Sequence, residues 1–254
     1  MIDWSTFTLF IYILMRMSGF ILFNPVFGRR NIPEIFKAGL ILVMTISVQS
    51  VYSGSIAVPN SILEFSLRLL LEFGLGFLIA MAMHFFFYIA EMAGFMIDEQ
   101  MGLSMAKTYD AGSQASMTTT ATLLNLLMLL LFFAANGHQT LFRLMLTSGN
   151  IVPFGKVSFG ENVANWLIEL FIECSLLAVK VCLPILAAEL MGQIGMGILM
   201  KVIPQINVFS MNIELKIIIG LVMIFLLIAP FSEFLLKIES SMFTELERAL
   251  ALSV

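Results

Sequence analysis

Residues 73–90 read Phe-Gly-Leu-Gly-Phe-Leu-Ile-Ala-Met-Ala-Met-His-Phe-Phe-Phe-Tyr-Ile-Ala and carry no formal charge. As a helix rising 1.5 Å per residue the stretch is about 27 Å long, close to the roughly 30 Å hydrocarbon core of a bilayer. It sits inside a longer apolar run, 62–96, that exceeds one simple span. Five further apolar segments flank it, at 6–27, 38–51, 121–135, 166–191 and 217–236. Turn-forming stretches separate them: Asn24-Pro25 through Asn31-Ile32-Pro33, a Ser/Gly/Pro-rich loop at 53–60, and a break at 204–212 containing Pro204.

The whole chain has the same bias. Of 254 residues, 60% are hydrophobic and only 12% are charged, with a mean hydropathy of +1.00. Soluble domains are about half apolar and about a quarter charged, so a soluble enzyme or a disordered tail is excluded. A net charge of −4 leaves no basic footprint for nucleic acid. The chain reads as an all-α membrane protein, or one buried inside a membrane assembly. No linker, repeat or low-complexity tract divides it, so a single all-helical domain over 1–254 is expected. The N-terminus lacks the basic region of a removable signal, and the first apolar segment is expected to stay in the mature protein.

Chemistry-bearing constellations are missing. His84 and His138 stand far apart with no HExxH or Cys/His spacing, and no G-x-S-x-G elbow occurs. Asp98 and Asp110 lie in a polar connection without a matching pair for intramembrane proteolysis. Cys174 and Cys182, eight positions apart in one helical stretch, are about 12 Å apart along the axis, beyond the roughly 7 Å a disulfide tolerates. No catalytic residue, metal site or cofactor is assigned.

Charges inside the apolar segments are more informative. Arg16 is alone in the first segment. Glu64, Arg68 and Glu72 form an i, i+4, i+8 ladder of alternating sign. Glu169, Glu173 and Lys180 fall within about 40° of one another on a helical wheel. Such groups are costly toward lipid and face protein, a partner or water; structural ion pairing, a subunit interface and an ion path all fit, the last as in an ion-coupled small-molecule transporter with Arg16, Glu173 and Lys180 at a midplane site. Small residues at four-residue spacing, Gly76 with Ala80, Ala90 with Gly94 and Ala188 with Gly192, suit close helix approach.

The connection 101–120 is polar, small and Gly/Ser/Thr-rich, yet lies between two apolar helices and carries Met101, Met105 and Met117. Irregular backbone at membrane depth survives only where protein buries it or water meets it. A surface loop and a pore-occluding loop both answer that description; flexible Met side chains suit a seal that repacks.

Several motifs in order resemble the FliR family, the flagellar export-gate proteins related to the SctT proteins of injectisomes. They are Arg16-Met17-Ser18-Gly19 with Pro25-Val26-Phe27-Gly28-Arg29-Arg30-Asn31-Ile32-Pro33, then 93–103 (Ala-Gly-Phe-Met-Ile-Asp-Glu-Gln-Met-Gly-Leu) running into Tyr109-Asp110. Asn136-Gly137-His138 with Ser148 and Pro153, and the stretch from Leu183-Pro184 to Pro204-Gln205-Ile206-Asn207-Val208-Phe209 followed by Leu215-Lys216-Ile217, complete the set. Departures are local: Asp110-Ala111 for the family's Asp-Pro, Lys201 for its Arg, and Asn212-Ile213-Glu214 for its Gly-x-Pro.

The resemblance implies an all-α subunit in which FliP-like and FliQ-like elements are joined. It would pack with FliP and FliQ, beside FlhB and FlhA, in the bacterial inner membrane at the flagellar basal body. There the gate would pass unfolded flagellar proteins without performing chemistry. Its helices would meet sister subunits as well as membrane lipids. The family's plugging loop maps by position onto 101–120, with Met101, Met105, Lys107, Tyr109, Asp110 and Met117 as plug residues. Arg16, Asp98, Gln100, Glu169, Glu173, Lys180, Pro204, Gln205, Asn207 and Phe209 are expected at subunit interfaces or in structural polar contacts.

Overall fold

The computed structural model describes residues 4–52, 54, 59, 61–103, 118–202 and 208–253, the first three of the last stretch by backbone alone. Among the described residues the regular structure is entirely helical. The helices are α1 (Trp4–Leu22), α2 (Glu34–Val51), α3 (Ile62–Met101), α4 (Thr119–Ala134), α5 (Gly137–Ile151), α6 (Glu161–Val202) and α7 (Val208–Leu252). Five of them are long and apolar enough to cross a membrane, and the pair α4–α5, broken at 135–136, adds a sixth span if taken together.

All six apolar segments fall mainly on helices, the first helix ending at Leu22 with 23–27 forming the turn, and two further differences stand out. A seventh helix, α5, was not among them, because His138, Gln139 and Arg143 dilute its hydropathy while Leu141, Leu144 and Met145 form its buried face. Helix α7 begins at Val208 rather than after Asn212 and runs on to Leu252. Its last turns expose Lys237, Glu247 and Arg248 and bury Ile238, Met242, Leu246 and Leu250. Pro184 and Pro230 lie inside α6 and α7 without ending them. Helices α3, α6 and α7 have 40, 42 and 45 residues, so each is about 60 Å or more in length, twice a bilayer core.

The contacts group into two compact units, 1–86 with 132–171 and 238–254, and 87–131 with 172–237. In the first, α1 lies on α3 backbone to backbone. A Cβ on Gly76 would stand 2.0 Å from the Arg16 carbonyl oxygen, and one on Gly19 2.3 Å from that of Phe73. The small residues are what bring the two axes this close, and Phe23 then stacks edge-on against Phe73 and Phe77. Helix α2 packs on α1 and α5. The turn between α1 and α2 is held by Asn24, whose side-chain oxygen accepts the N–H groups of Val26 (2.8 Å) and Phe27 (3.1 Å), an Asx arrangement that replaces lost helical bonds. Between α5 and α6, Gly155 takes a left-handed φ of +80°, a conformation glycine adopts without strain.

In the second unit, α3 meets α4 at Gly94, where a Cβ would stand 2.3 Å from Ala121 Cα. Gly192 of α6 accepts the Ile219 side chain of α7, and Gly220 of α7 lies under the Met101 side chain. Cys182 donates its thiol to the Val179 carbonyl (3.2 Å) and lies 3.5 Å from Met96 Sδ. Cys174 and Cys182 are both buried and are not joined by a disulfide.

Candidate functional site

Two buried polar centres stand out, one in each unit. In the first, Arg16 is completely buried, and its Nε donates to Glu72 Oε2 at 2.7 Å. Its two terminal nitrogens donate to Ser148 Oγ (3.2 Å) and to the Val152 carbonyl (3.1 Å), while the guanidinium lies 4.1 Å from the Phe154 ring centroid. The other Glu72 oxygen accepts the Gly155 N–H at 2.7 Å. A desolvated ion pair contributes to stability only when its remaining donors and acceptors are also satisfied, and here α1, α3, α5 and the turn after α5 all supply partners. Its role is to join those four elements.

This arrangement revises the sequence ladder. Arg68 pairs with Glu64 along α3, but Glu72 leaves the ladder and pairs across to Arg16. The i, i+4 contact is half-exposed and weak; a buried guanidinium with no carboxylate would be far costlier, so the long-range pair wins.

The second centre lies at the root of the connection between α3 and α4. Helix α3 ends in a Schellman motif. Leu103 N–H donates to the Asp98 carbonyl (3.0 Å) and Gly102 N–H to that of Glu99 (3.2 Å), with Gly102 at φ +78°. Helix α4 starts after Thr118, a good capping residue type, whose hydroxyl nevertheless has no hydrogen-bond partner. Asp98 of α3 takes the cap instead. Its carboxylate accepts the Thr120 backbone N–H at 2.7 Å and the Thr120 hydroxyl at 2.5 Å. A carboxylate at a helix N-terminus is favoured by the exposed N–H groups and the helix dipole, and Asp98 is fully buried where it meets them.

The remaining expected residues are placed as follows. Met101 is fully buried at the end of α3, and Gln100 is half-buried on the same turn. Glu169, Glu173 and Lys180 are all exposed along α6. Met105, Lys107, Tyr109, Asp110, Met117, Pro204, Gln205 and Asn207 lie outside the described residues, as does the side chain of Phe209. Ser148 belongs to one of the family motifs but its bond to Arg16 was not anticipated, nor were Thr120, Phe154 and Gly155. Nor was the burial of Glu189 and Glu239, single carboxylates that no local charge pattern marks.

Much apolar surface stays outside. The most apolar window of α7 is only 11% buried, with Phe225, Leu226 and Ile218 all exposed; α6 exposes Ile172, Leu176, Leu183 and Ile194. Such a surface must meet lipid or protein.

Long apolar helices, a fully buried Arg16–Glu72 pair and extensive outward apolar faces define an all-α membrane protein. Residues 7–242 match the family model of bacterial export proteins, family 1. The chain belongs to that family. It is 27% identical to the flagellar biosynthetic protein FliR of Escherichia coli K12 over 91% of its own length and 89% of the relative's. With FliR of Bacillus subtilis 168 it shares 23% identity over 86% and 85%. Yop proteins translocation protein T of Yersinia pestis is 25% identical over 50% of this chain and 49% of that one.

Proposed function

We propose that the chain is a subunit of the flagellar type III protein export gate, acting as one export-gate domain over 1–254 in the bacterial inner membrane at the flagellar basal body. The observation that carries this reading is the near full-length similarity to FliR proteins of two distant bacteria, against half-length similarity to the injectisome-type relative. On this reading FliP and FliQ cover its apolar faces, FlhA and FlhB stand beside it, and unfolded flagellar proteins pass through the shared channel. The chain contributes walls and a seal, not chemistry.

Exposure along α6 supports the partner assignment. Glu173 and Lys180 point outward from a helix that also exposes Leu176 and Leu183. Charges on a lipid-facing surface are costly, so a protein neighbour is the favoured occupant of that face. The connection 101–120 is the plug, rooted at Met101, with Met105, Lys107, Tyr109, Asp110 and Met117 meeting the channel. Removing residues 107–116 leaves the assembly intact and makes the closed gate conduct small ions; unchanged conductance would remove the plug from this account.

Secretion tests the function itself. Deleting the gene in its host abolishes appearance of flagellar subunits in the medium, and restoring the chain recovers it. Normal flagellar secretion with loss of injectisome substrates instead would move the chain to the injectisome branch.

A further inference from the structure

We infer that the turn between α1 and α2 is a binding site for anionic phospholipid: Arg29 and Arg30 take the phosphate of the headgroup, and the apolar residues flanking them enter the acyl region. This goes beyond the export role and does not depend on it.

The turn has the charge such a ligand needs. Arg30 is exposed and Arg29 half-buried, and Arg29 Nε donates to the Pro25 carbonyl at 2.9 Å, which holds that guanidinium at the turn. Phe27 of the turn stacks on Phe142 of α5, ring centroids 5.1 Å apart, and the next residue on α5, Arg143, is exposed as well. Carboxylates are scarce around them. Residues 4–33 and 132–160 contain no Asp or Glu, and Glu34, which follows the turn, is paired with Lys37 at 3.0 Å. A chain of net charge −4 is therefore basic at this place.

The flanks are apolar. Leu22 and Phe23 are exposed on the α1 side, and Ile35 and Phe36 on the α2 side, Ile35 at 87%. Arginines between exposed aliphatic and aromatic side chains fit a surface where phosphate lies over hydrocarbon. A soluble anion would leave the flanks in water, and an apolar protein face would leave the guanidiniums without an anion. Arginine suits phosphate because its planar fork can donate two bonds to one group.

Depth agrees with charge. Helix α2 has 18 residues, so it is about 27 Å long, close to the roughly 30 Å hydrocarbon core, and it is free of charge from Ala38 to Val51. At its far end Tyr52 meets the Phe154 ring at 5.0 Å, and Phe154 lies against Arg16. The buried Arg16–Glu72 pair and the basic turn thus stand at opposite ends of one bilayer-length helix, which puts the turn at a headgroup layer.

The test uses the full chain, in its complex and alone, in phosphatidylcholine nanodiscs carrying a trace of photoreactive lipid. One probe is phosphatidylglycerol and the other phosphatidylcholine, with the same acyl chains, and the readout is the ratio of their crosslinking yields on residues 22–37. Each basic residue beside an anionic surface strengthens binding about fivefold. The preference for phosphatidylglycerol therefore falls about fivefold in Arg30→Gln and about 25-fold when Arg29→Gln is added. The double lysine variant keeps it, as does Lys156→Gln, an exposed cation beside Gly155 at the Phe154 end of α2. Arginines that only support folding would lower the yield of monodisperse protein and leave the ratio unchanged, and that result overturns the inference. If the double glutamine variant does not fold, Arg30→Gln decides, an unchanged ratio again overturning it. Displacement of the probe by inorganic phosphate would make this a soluble-anion site. A preference shown by the lone chain but lost in the complex would give the turn to a protein neighbour. Either result overturns the lipid assignment.

Discussion

Replacing Arg16 by Met tests the first unit at its most constrained point. The side chain is fully buried, and the change removes three charged hydrogen bonds, to Glu72, Ser148 and Val152, together with the contact to Phe154. Glu72 is left as a buried carboxylate with the Gly155 N–H as its remaining bond. Breaking a buried pair by removing one partner costs about 3–5 kcal/mol, because the orphaned charge has lost its compensation in a low-dielectric site. For a chain of this size a loss of about 4 kcal/mol lowers the melting temperature by roughly 10 °C. Glu72→Met has a cost in the same range, since the guanidinium keeps only neutral partners. The double variant replaces the pair by apolar side chains and lies within about 2 kcal/mol of the native protein, Gly155 N–H and the Val152 carbonyl being the groups left open. The coupling between the two sites is therefore about 4 kcal/mol or more, well beyond what independent sites show. Melting of the four proteins in detergent, scored by loss of monodisperse protein, gives the cycle. Additive single-site effects, or an Arg16→Met protein that melts within about 1 °C of native, would refute the reasoning.

Glycine substitutions separate close approach from simple helix content. Gly76→Ala drives a Cβ into the Arg16 carbonyl and destabilises by about 1–3 kcal/mol, whereas Gly39→Ala, exposed on α2 with nothing within 4 Å, stabilises by about 0.5–1 kcal/mol; melting temperatures moving in opposite directions check both. Trp166→Phe loses the bond from Nε1 to Glu245 Oε2 at 2.7 Å and destabilises by about 1.5–3 kcal/mol, measured in the same melts. Glu173→Leu leaves the melting temperature of the isolated chain within about 1 °C, as expected for an exposed position, and reduces the FliP and FliQ recovered with it. Undiminished recovery takes the α6 stripe out of the interface.

How much of this was legible in the sequence depended on how local the cause was. The apolar segments show directly as helices because hydropathy and length are properties of one segment. Helix α5 was hidden because its apolar residues occupy a single face, and an average over His138, Gln139 and Arg143 erases a one-sided pattern. Gly76 and Gly94 could be read as close-approach positions from spacing alone, but not which helix approaches them. The partner of Glu72 was hidden for the same reason: Glu72 sits four residues from Arg68, while its true partner, Arg16, lies 56 residues away on another helix. Asp98 reads from sequence as part of the polar connection, whereas it lies inside α3; Thr120 is one of three consecutive threonines, and only the start of α4 distinguishes it from its neighbours. Exposure along α6 and α7 is the complementary case. Sequence shows that these faces are apolar, and the fold shows that the chain itself leaves them uncovered.

The central claim is that those uncovered faces belong to a shared gate. The most direct measurement is to purify the chain from its native membrane under mild detergent and identify what accompanies it in one stable particle. The account predicts FliP and FliQ in fixed proportion to the chain. A lone, stable monomer whose apolar faces carry only lipid and detergent would contradict it.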